Sequence, residues 1–442
     1  MEARNALAQE AVVHEALGQT ETKTDTVASQ AFSDDMYDAS AMIDFAGRGY
    51  ILSNGAEIHS AVGLEGGVDS NVFYQASSEN PVGAALLRQT AFVTVANERL
   101  TADSTDDSEP AVEITPRRFE YQAGVRASYQ EFLNSADDVQ DQRRLNVAAF
   151  AEAVAHSQSN FTLVLRDRFI REGQSPSFET DQVFNRDDNK LWVGVRYAPV
   201  GHTFTDTVHY ENWFSAFENT PLFQPRMNHT IGLLHWWNVT SSTSVAGDVT
   251  YGFFGPFGDA NSMLTPYVKT SSQPFRAVVS AQHLVTSRVT LKAHAGYSHA
   301  SYDVGPGYST PVAGASADYR WSETGALTAL YDYDHYDSFI ANFYRDHLFA
   351  LKFAQQINWI VLDGGPEVRV RRYEGIPAAI GPSSRNDVDT SIRARVQALL
   401  NNRYALSLEY RLAAVATDYR PLSMDDPSWT RHQVTLGLWA AY

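Results

Sequence analysis

The chain contains no cysteine. That excludes disulfide scaffolds, thiolate metal sites and cysteine nucleophiles. No run approaches the 18 consecutive apolar residues that a membrane-spanning helix requires, which excludes a helical membrane protein. Basic charge is scarce: 34 Lys and Arg stand against 52 Asp and Glu, a net charge of −18. The basic footprint of a nucleic-acid binder is therefore missing, and nucleic acid is not an expected partner. No Gly-x-Ser-x-Gly elbow, His-Glu-x-x-His pair, P-loop or dinucleotide fingerprint occurs. The sequence thus offers no catalytic residues, no metal centre and no cofactor site, and an enzyme is not expected.

Aromatic residues are abundant, with 22 Tyr, 23 Phe and 8 Trp. The chain is 44% hydrophobic, yet its mean hydropathy is only −0.30. A soluble β-protein fits these figures. So does a transmembrane barrel, in which only every second side chain meets lipid.

Residues 1–56 hold nine acids and three bases and show little alternation. They read as an acidic N-terminal extension, either a mobile tail or a short amphipathic helix over Ala6 to Leu17. The opening Met1-Glu2-Ala3-Arg4 lacks the basic and apolar regions of a signal peptide, and reads as a mature or re-engineered start.

From residue 57 to 442 the pattern alternates with period 2. Phe119, Tyr121, Ala123, Val125, Ala127 and Tyr129 share one strand face, while Glu120, Gln122, Arg126, Ser128 and Gln130 share the other. Tyr404, Leu406, Leu408, Tyr410 and Leu412 repeat the pattern opposite Arg403, Ser407, Glu409 and Arg411. About 18 such segments occur, each long enough to cross a bilayer when tilted. They fall near 57–66, 86–100, 119–131, 144–157, 161–171, 189–199, 203–216, 228–239, 244–254, 274–285, 288–300, 312–322, 324–336, 342–356, 359–374, 386–399, 403–415 and 430–442. The stretch 262–270 reads as a loop because Pro266 and Pro274 disfavour a strand.

The connections alternate short and long. Tight turns such as Thr286-Ser287 and Ile357-Asn358 separate longer loops such as 172–188, 255–273 and 417–427. Short periplasmic turns and longer outer loops are the signature of an outer-membrane barrel. The acidic segment 101–110 breaks this rule, because it falls where a short turn belongs. The fold class expected is all-β: an antiparallel up-and-down transmembrane barrel of about 18 strands with its N-terminus in the periplasm. The chain ends Thr435-Leu-Gly437-Leu-Trp-Ala-Ala-Tyr442. Gly437 and the terminal Tyr442 resemble the signal read by the outer-membrane barrel-assembly machinery.

Gly66-Gly67-Val68-Asp69-Ser70-Asn71-Val72-Phe73 follows the first strand. This run resembles the Gly-x-x-Asp/Tyr-Ser/Thr-Asn-Val/Ile-Phe/Tyr motif of an outer-membrane β-barrel porin family with members linked to exopolysaccharide secretion. The remaining resemblance, over 57–442, is architectural. It implies an 18-stranded barrel in the bacterial outer membrane that exports a polysaccharide with a periplasmic polysaccharide-export partner. It implies no catalytic residues. Asp69, Asn71 and Phe73 are the motif residues, and Asn71 and Phe73 are expected to shape the first outer loop and rim.

By parity, about 15 bases face inward against about 10 acids. The candidate pore-lining residues are Arg126, Arg166, Arg168, Arg196, Arg369, Arg371, Arg393, Arg395 and Arg411. Two readings stay open: a basic wall that attracts an anionic polysaccharide, or charges that pair across strands and keep the wall solvated. Trp192, Trp213, Trp236 and Trp439 are candidates for a sugar track, although the lipid-interface belt is the expected home of most Trp. The acids of Tyr331-Asp332-Tyr333-Asp334-His335-Tyr336-Asp337 read as a polar strand end more readily than as a cation site. The leading function is polysaccharide export. A passive porin for small anionic solutes is the alternative, and a barrel-embedded enzyme or structural anchor is a third.

Overall fold

The computed structural model describes residues 50–51, 56–76, 79–97, 118–156, 159–174, 184–199, 203–218, 224–257, 270–322, 324–338, 340–377, 382–401, 403–419 and 428–441. Residues 1–49, which hold the Ala6 to Leu17 segment, lie outside them, as do the acidic segment 101–110 and Tyr442.

Among the described residues, nineteen strands form one sheet. They are β1 Tyr50–Ile51, β2 Glu57–Asp69, β3 Ala84–Ala96, β4 Phe119–Leu133, β5 Arg144–Ala155, β6 Phe161–Gln174, β7 Phe184–Tyr197, β8 Phe204–Glu218, β9 Arg226–Thr240, β10 Thr243–Pro256, β11 Ser272–Thr286, β12 Val289–Tyr302, β13 Tyr308–Ser322, β14 Gly325–Asp337, β15 Phe343–Ile357, β16 Ile360–Glu374, β17 Ser384–Leu399, β18 Tyr404–Thr417 and β19 Trp429–Ala441. Each strand from β2 to β19 pairs antiparallel with its sequence neighbours. β19 closes on β2 from Gln433↔Asp69 to Ala441↔Ala61. Eighteen strands therefore make a closed wall with no free edge, as a bilayer demands. Two-residue turns join β9 to β10, β11 to β12 and β15 to β16 at one end, most of the longer connections lie at the opposite end, and the β3–β4 connection, residues 97–118, is the long exception at the short-turn end.

Two details depart from the sequence reading. β1 falls within 1–56 yet pairs with β2 through Tyr50↔Ile58 and Ile51↔Glu57, so regular pairing begins before residue 57. A single helical turn, α1 (Asp137–Gln140), sits between β4 and β5. It buries Val139 against Val72, Leu86 and Phe132, with Phe73 packed alongside. One apolar side chain at the right point of a loop suffices for this, which is too little to register as periodicity.

The two faces of the wall differ as the alternation requires. Leu64, Val93, Val125, Leu163, Val208, Ile231, Val279, Leu351, Leu408 and Leu436 are exposed outward. Each would gain about 1.5–3 kcal/mol on moving from water into hydrocarbon. At the short-turn end this belt meets aromatic rings, among them Phe161, Tyr197 and Phe204, whose centroids lie 4.9 and 6.1 Å apart in sequence. At the long-loop end, outward tyrosine hydroxyls meet cross-strand histidines. Tyr210 pairs with His229 at 2.7 Å and Tyr410 with His432 at 2.9 Å. Such rings, apolar in body and polar at the tip, suit membrane–water interfaces.

The inward face solves a different problem, fitting large rings without filling the lumen. Four aromatic or imidazole side chains sit directly opposite a glycine on the neighbouring strand: Phe150 opposite Gly124, His209 opposite Gly232, His294 opposite Gly314 and Trp439 opposite Gly63. A Cβ on Gly63 would stand 2.2 Å from the Trp439 ring, and one on Gly232 would stand 2.2 Å from His209. Each ring occupies the space a side chain would take, and so lies along the wall.

Candidate functional site: the lumen wall and its mouth

The wall carries a ladder of ion pairs between neighbouring strands. Arg88 faces Glu65 at 3.5 Å, Arg166 faces Glu152 at 3.3 Å, Lys190 faces Glu211 at 3.1 Å and Lys292 faces Asp318 at 3.3 Å. Other pairs skip strands. His294 on β12 reaches Asp332 on β14 at 3.1 Å. It passes over Gly314 of β13, where a Cβ would lie 2.5 Å from the Asp332 carboxylate. Arg276 on β11 reaches Asp334 on β14 at 2.9 Å.

Most of the predicted pore arginines belong to this ladder. Arg369 and Arg371 share Asp346, at 3.0 and 3.6 Å; Arg369 also meets Glu367, and Arg371 meets Asp389 at 3.3 Å. Arg393 meets Glu409 at 2.9 Å, Arg411 meets the same carboxylate, and Arg395 meets Asp363 at 2.7 Å. Arg126, Arg168 and Arg196 are half-buried on the inward parity of β4, β6 and β7. The four arginines 369, 371, 393 and 395 thus face five acids: 346, 363, 367, 389 and 409. Glu65, Asp69, Asp188 and Asp387 pair in the same way, with Arg88, Arg431, Arg186 and Arg385. Arg226, a functional residue that sequence reasoning missed, falls at the start of β9, where parity is hardest to anchor.

At the long-loop end, buried side chains from several strands and connections pack together. Tyr336, Ile340, Ala341, Tyr344, Tyr373, Ile376, Val415, Tyr419 and Trp429 form one buried cluster. Phe217 of β8 and Tyr74 of the β2–β3 connection pack against it. The β14–β15 connection supplies its middle: Ser338, Ile340, Ala341 and Asn342 are all buried. Arg226 of β9 fixes this connection from across the opening. Its guanidinium binds Asp337 at 2.9 Å and donates to the Ser338 carbonyl at 3.3 Å, lying over the rings of Trp213 and Phe217. Five strand spacings of ~4.8 Å separate β9 from β14, about 24 Å along the wall. No Arg–Asp pair spans that distance, so the end of β14 must lean over the lumen. On the other flank, Asn342 donates to the carbonyls of Val304 and Pro306, tying the same connection to the β12–β13 loop.

The motif residues stitch the closing seam. Asp69 accepts from the Arg431 guanidinium at 3.0 Å and from the Asn71 backbone N–H at 3.1 Å. Asn71 is fully buried and donates to the carbonyls of Gln75 and Thr430, at 2.8 and 3.0 Å. Phe73 packs into the cluster around Val139. At the opposite end, Gly437 leaves room for the Trp439 indole to donate to Ser407 at 3.1 Å.

The tryptophans correct an expectation. Trp192, Trp213, Trp236, Trp429 and Trp439 are buried at 5–8% exposure, whereas Trp237 and Trp359 stay exposed near 50%. Most Trp therefore face the lumen rather than the lipid belt. Glycine opposite or beside the ring is the enabling feature: a Cβ on Gly194 would lie 2.2 Å from Trp192. The acids of the 331–337 run are divided: Asp332 meets His294, Asp334 meets Arg276 and Asp337 meets Arg226. Among the described residues, no three carboxylate or histidine side chains gather as metal ligands.

No family model and no curated protein matches the chain. Its fold is similar to the FrpB iron transporter from Neisseria meningitidis, over 87% of this chain and 81% of that one, at 8% identity and a TM-score of 0.42. It is similar to the siderophore receptor PirA from Pseudomonas aeruginosa, over 87% and 80%, at 7% identity and a TM-score of 0.40. It is similar to the alcaligin outer-membrane receptor FauA from Bordetella pertussis, over 87% and 76%, at 10% identity and a TM-score of 0.36.

Proposed function

The chain is an outer-membrane-type β-barrel, and from that starting point we propose that it is a conduit for a secreted polysaccharide, closed at its outer mouth until export. The observation that carries this reading is the inward course of the β14–β15 connection at the mouth. A barrel of about 18 strands is wide enough for an aqueous channel, yet the β14–β15 connection is drawn into the opening and clamped by Arg226. A passive porin for small anions would be expected to stand open, and its basic wall would not be matched by acids residue for residue. An exporter must hold the barrier until its polymer arrives. A periplasmic polysaccharide-export protein would meet the barrel at the short-turn end and deliver the chain. An anionic polymer would pass a wall in which six of the nine predicted pore arginines already have carboxylate partners, so much of that positive charge would be felt weakly.

Deletion of the gene in its own host tests the reading. Loss of surface polysaccharide, with the polymer accumulating in the periplasm, is expected. Unchanged surface polysaccharide would overturn it.

A further inference from the structure

The seam between β13 and β14 parts at the long-loop end. Its ladder runs from Ser322↔Gly325 to Ala313↔Tyr333 and stops there. Both strands go on. β13 stays paired with β12 as far as Tyr308, and β14 stays paired with β15 as far as Asp337. The two strands therefore make a fork, with Tyr308 to Val312 on one arm and Asp334 to Asp337 on the other. The parting begins beside the stack of Tyr333 on His347, whose ring centroids lie 4.5 Å apart. Outward Tyr–His pairs of this kind mark the membrane–water interface on β8–β9 and β18–β19. The unpaired edge thus meets headgroups and water rather than hydrocarbon, where it would be costly.

A proline accounts for the fork. In an antiparallel ladder a residue's N–H and C=O serve the same neighbour, and successive residues alternate sides. The Arg320 N–H donates toward β12, to the Arg288 carbonyl at 2.8 Å. The β12–β13 register is unbroken. Even-numbered residues of β13 therefore face β12, while Ser309, Pro311 and Ala313 face β14. Pro311 has no N–H to give, and proline is confined to strand edges for that reason. Continuing the register from Ala313↔Tyr333 would set Pro311 opposite His335 and Ser309 opposite Asp337. Instead the His335 N–H donates to Asp334 Oδ1 at 2.8 Å, and Asp337 is held by Arg226 from across the opening. The tip of β14 thus has two alternative partners, Arg226 on β9 and the free edge of β13.

We propose that this fork is the hinge of a gate, with the tip of β14, Asp334 to Asp337, moving between Arg226 and the edge of β13. On Arg226 the tip draws the β14–β15 connection over the lumen. Zipped onto β13 it completes the wall and carries the connection back to the rim. The zipped tip gains both bonds of the Ser309–Asp337 pair but only one from Pro311 and His335. Pro311 therefore weakens the open state and keeps the tip free to leave it. In the parted state His335 stacks on Tyr308 at 4.6 Å, filling the fork. The inference deepens the conduit reading and rests on its closed mouth, but not on what the barrel carries.

The test uses the absence of cysteine from the chain. Pro311→Cys with His335→Cys supplies the only thiols and leaves Arg226 and Asp337 in place. A bonded pair in an antiparallel ladder stands about 5.5 Å apart at Cα, within the range of about 4.4–6.8 Å that a disulfide needs. The purified full-length barrel is oxidised with copper phenanthroline, and the bond is verified by mass spectrometry. The oxidised barrel is expected to carry a steady current in a planar bilayer, fivefold or more above the same barrel after reduction. Pro311→Thr, which restores the missing N–H without any thiol, is expected to make openings threefold or more as frequent as in the unmodified barrel. Heat-modifiability on gels verifies that each variant has folded. No disulfide in the folded double variant, a disulfide without added current, or Pro311→Thr with unchanged openings would overturn the gate. If the double variant does not fold, Pro311→Thr alone decides. If both variants open as expected but gene deletion leaves surface polysaccharide intact, the export reading fails and the gate stands. If deletion abolishes the polysaccharide and neither variant opens, the export reading stands and the gate fails.

Discussion

Arg226 and Asp337 sit 2.9 Å apart although their strands are five positions apart around the wall. The pair therefore depends on the tucked mouth and holds it in place. Arg226 is almost wholly buried, with 2% of its side chain exposed. Breaking a buried pair by removing one partner costs about 3–5 kcal/mol, because the other charge is stranded. Asp337→Asn should shift the mouth toward an open arrangement while leaving the barrel folded. Bilayer currents should rise, and the host should become more sensitive to large antibiotics. Unchanged permeability with an intact barrel would show that the pair does not restrain the mouth.

The closing seam offers a paired test. Gly63→Ala would place a methyl 2.2 Å from the Trp439 ring, whereas nothing lies within 4 Å of a Cβ on Gly66. Overpacking of this kind typically costs about 1–3 kcal/mol. Gly63→Ala should lower the temperature at which the barrel loses its fast-migrating form on gels, and Gly66→Ala should not. Equal effects would place the cause in the backbone rather than in the ring.

Much of this architecture was legible in the sequence. Phe119 to Tyr129 and Tyr404 to Leu412 alternate so cleanly that strand existence, face and neighbour followed from period 2 alone. Lumen rings were harder to read. Trp192 and Trp439 lie along the wall because Gly194 and Gly63 leave them room, and in one sequence a glycine in a strand reads only as weakness. The mouth was hidden for another reason. The five residues between β14 and β15 look like any rim connection, and their inward course is set by Arg226, more than a hundred residues earlier. The surplus of inward bases in the sequence is a matter of register: Asp346 and Asp363 come to face Arg369 and Arg395 only once the strands are paired.

Arg371 should behave as a structural residue. It is fully buried between Asp346 and Asp389. Arg371→Gln should destabilise the barrel by about 3–5 kcal/mol, the cost of leaving buried carboxylates unmatched. The double change with Asp346→Asn should recover part of that loss. A double variant no more stable than Arg371→Gln alone would mean that the two residues are uncoupled.

The outward belt predicts a dependence on depth. Leu408 is half exposed and pairs with Leu436, which is likewise exposed. An arginine at a bilayer midplane costs about 2–4 kcal/mol, falling to about 0–1 near an interface. Leu408→Arg should lower folding yield into lipid vesicles, and Tyr404→Arg, at the short-turn end of the same strand, should do so far less. Equal losses would contradict the placement of the belt.

Conductance of the purified, unmodified barrel in a planar bilayer tests the central claim most directly. A channel that stays quiet when alone, with at most brief openings, is the result expected of a conduit shut by its own β14–β15 connection. A large, steady ionic current under the same conditions would contradict it.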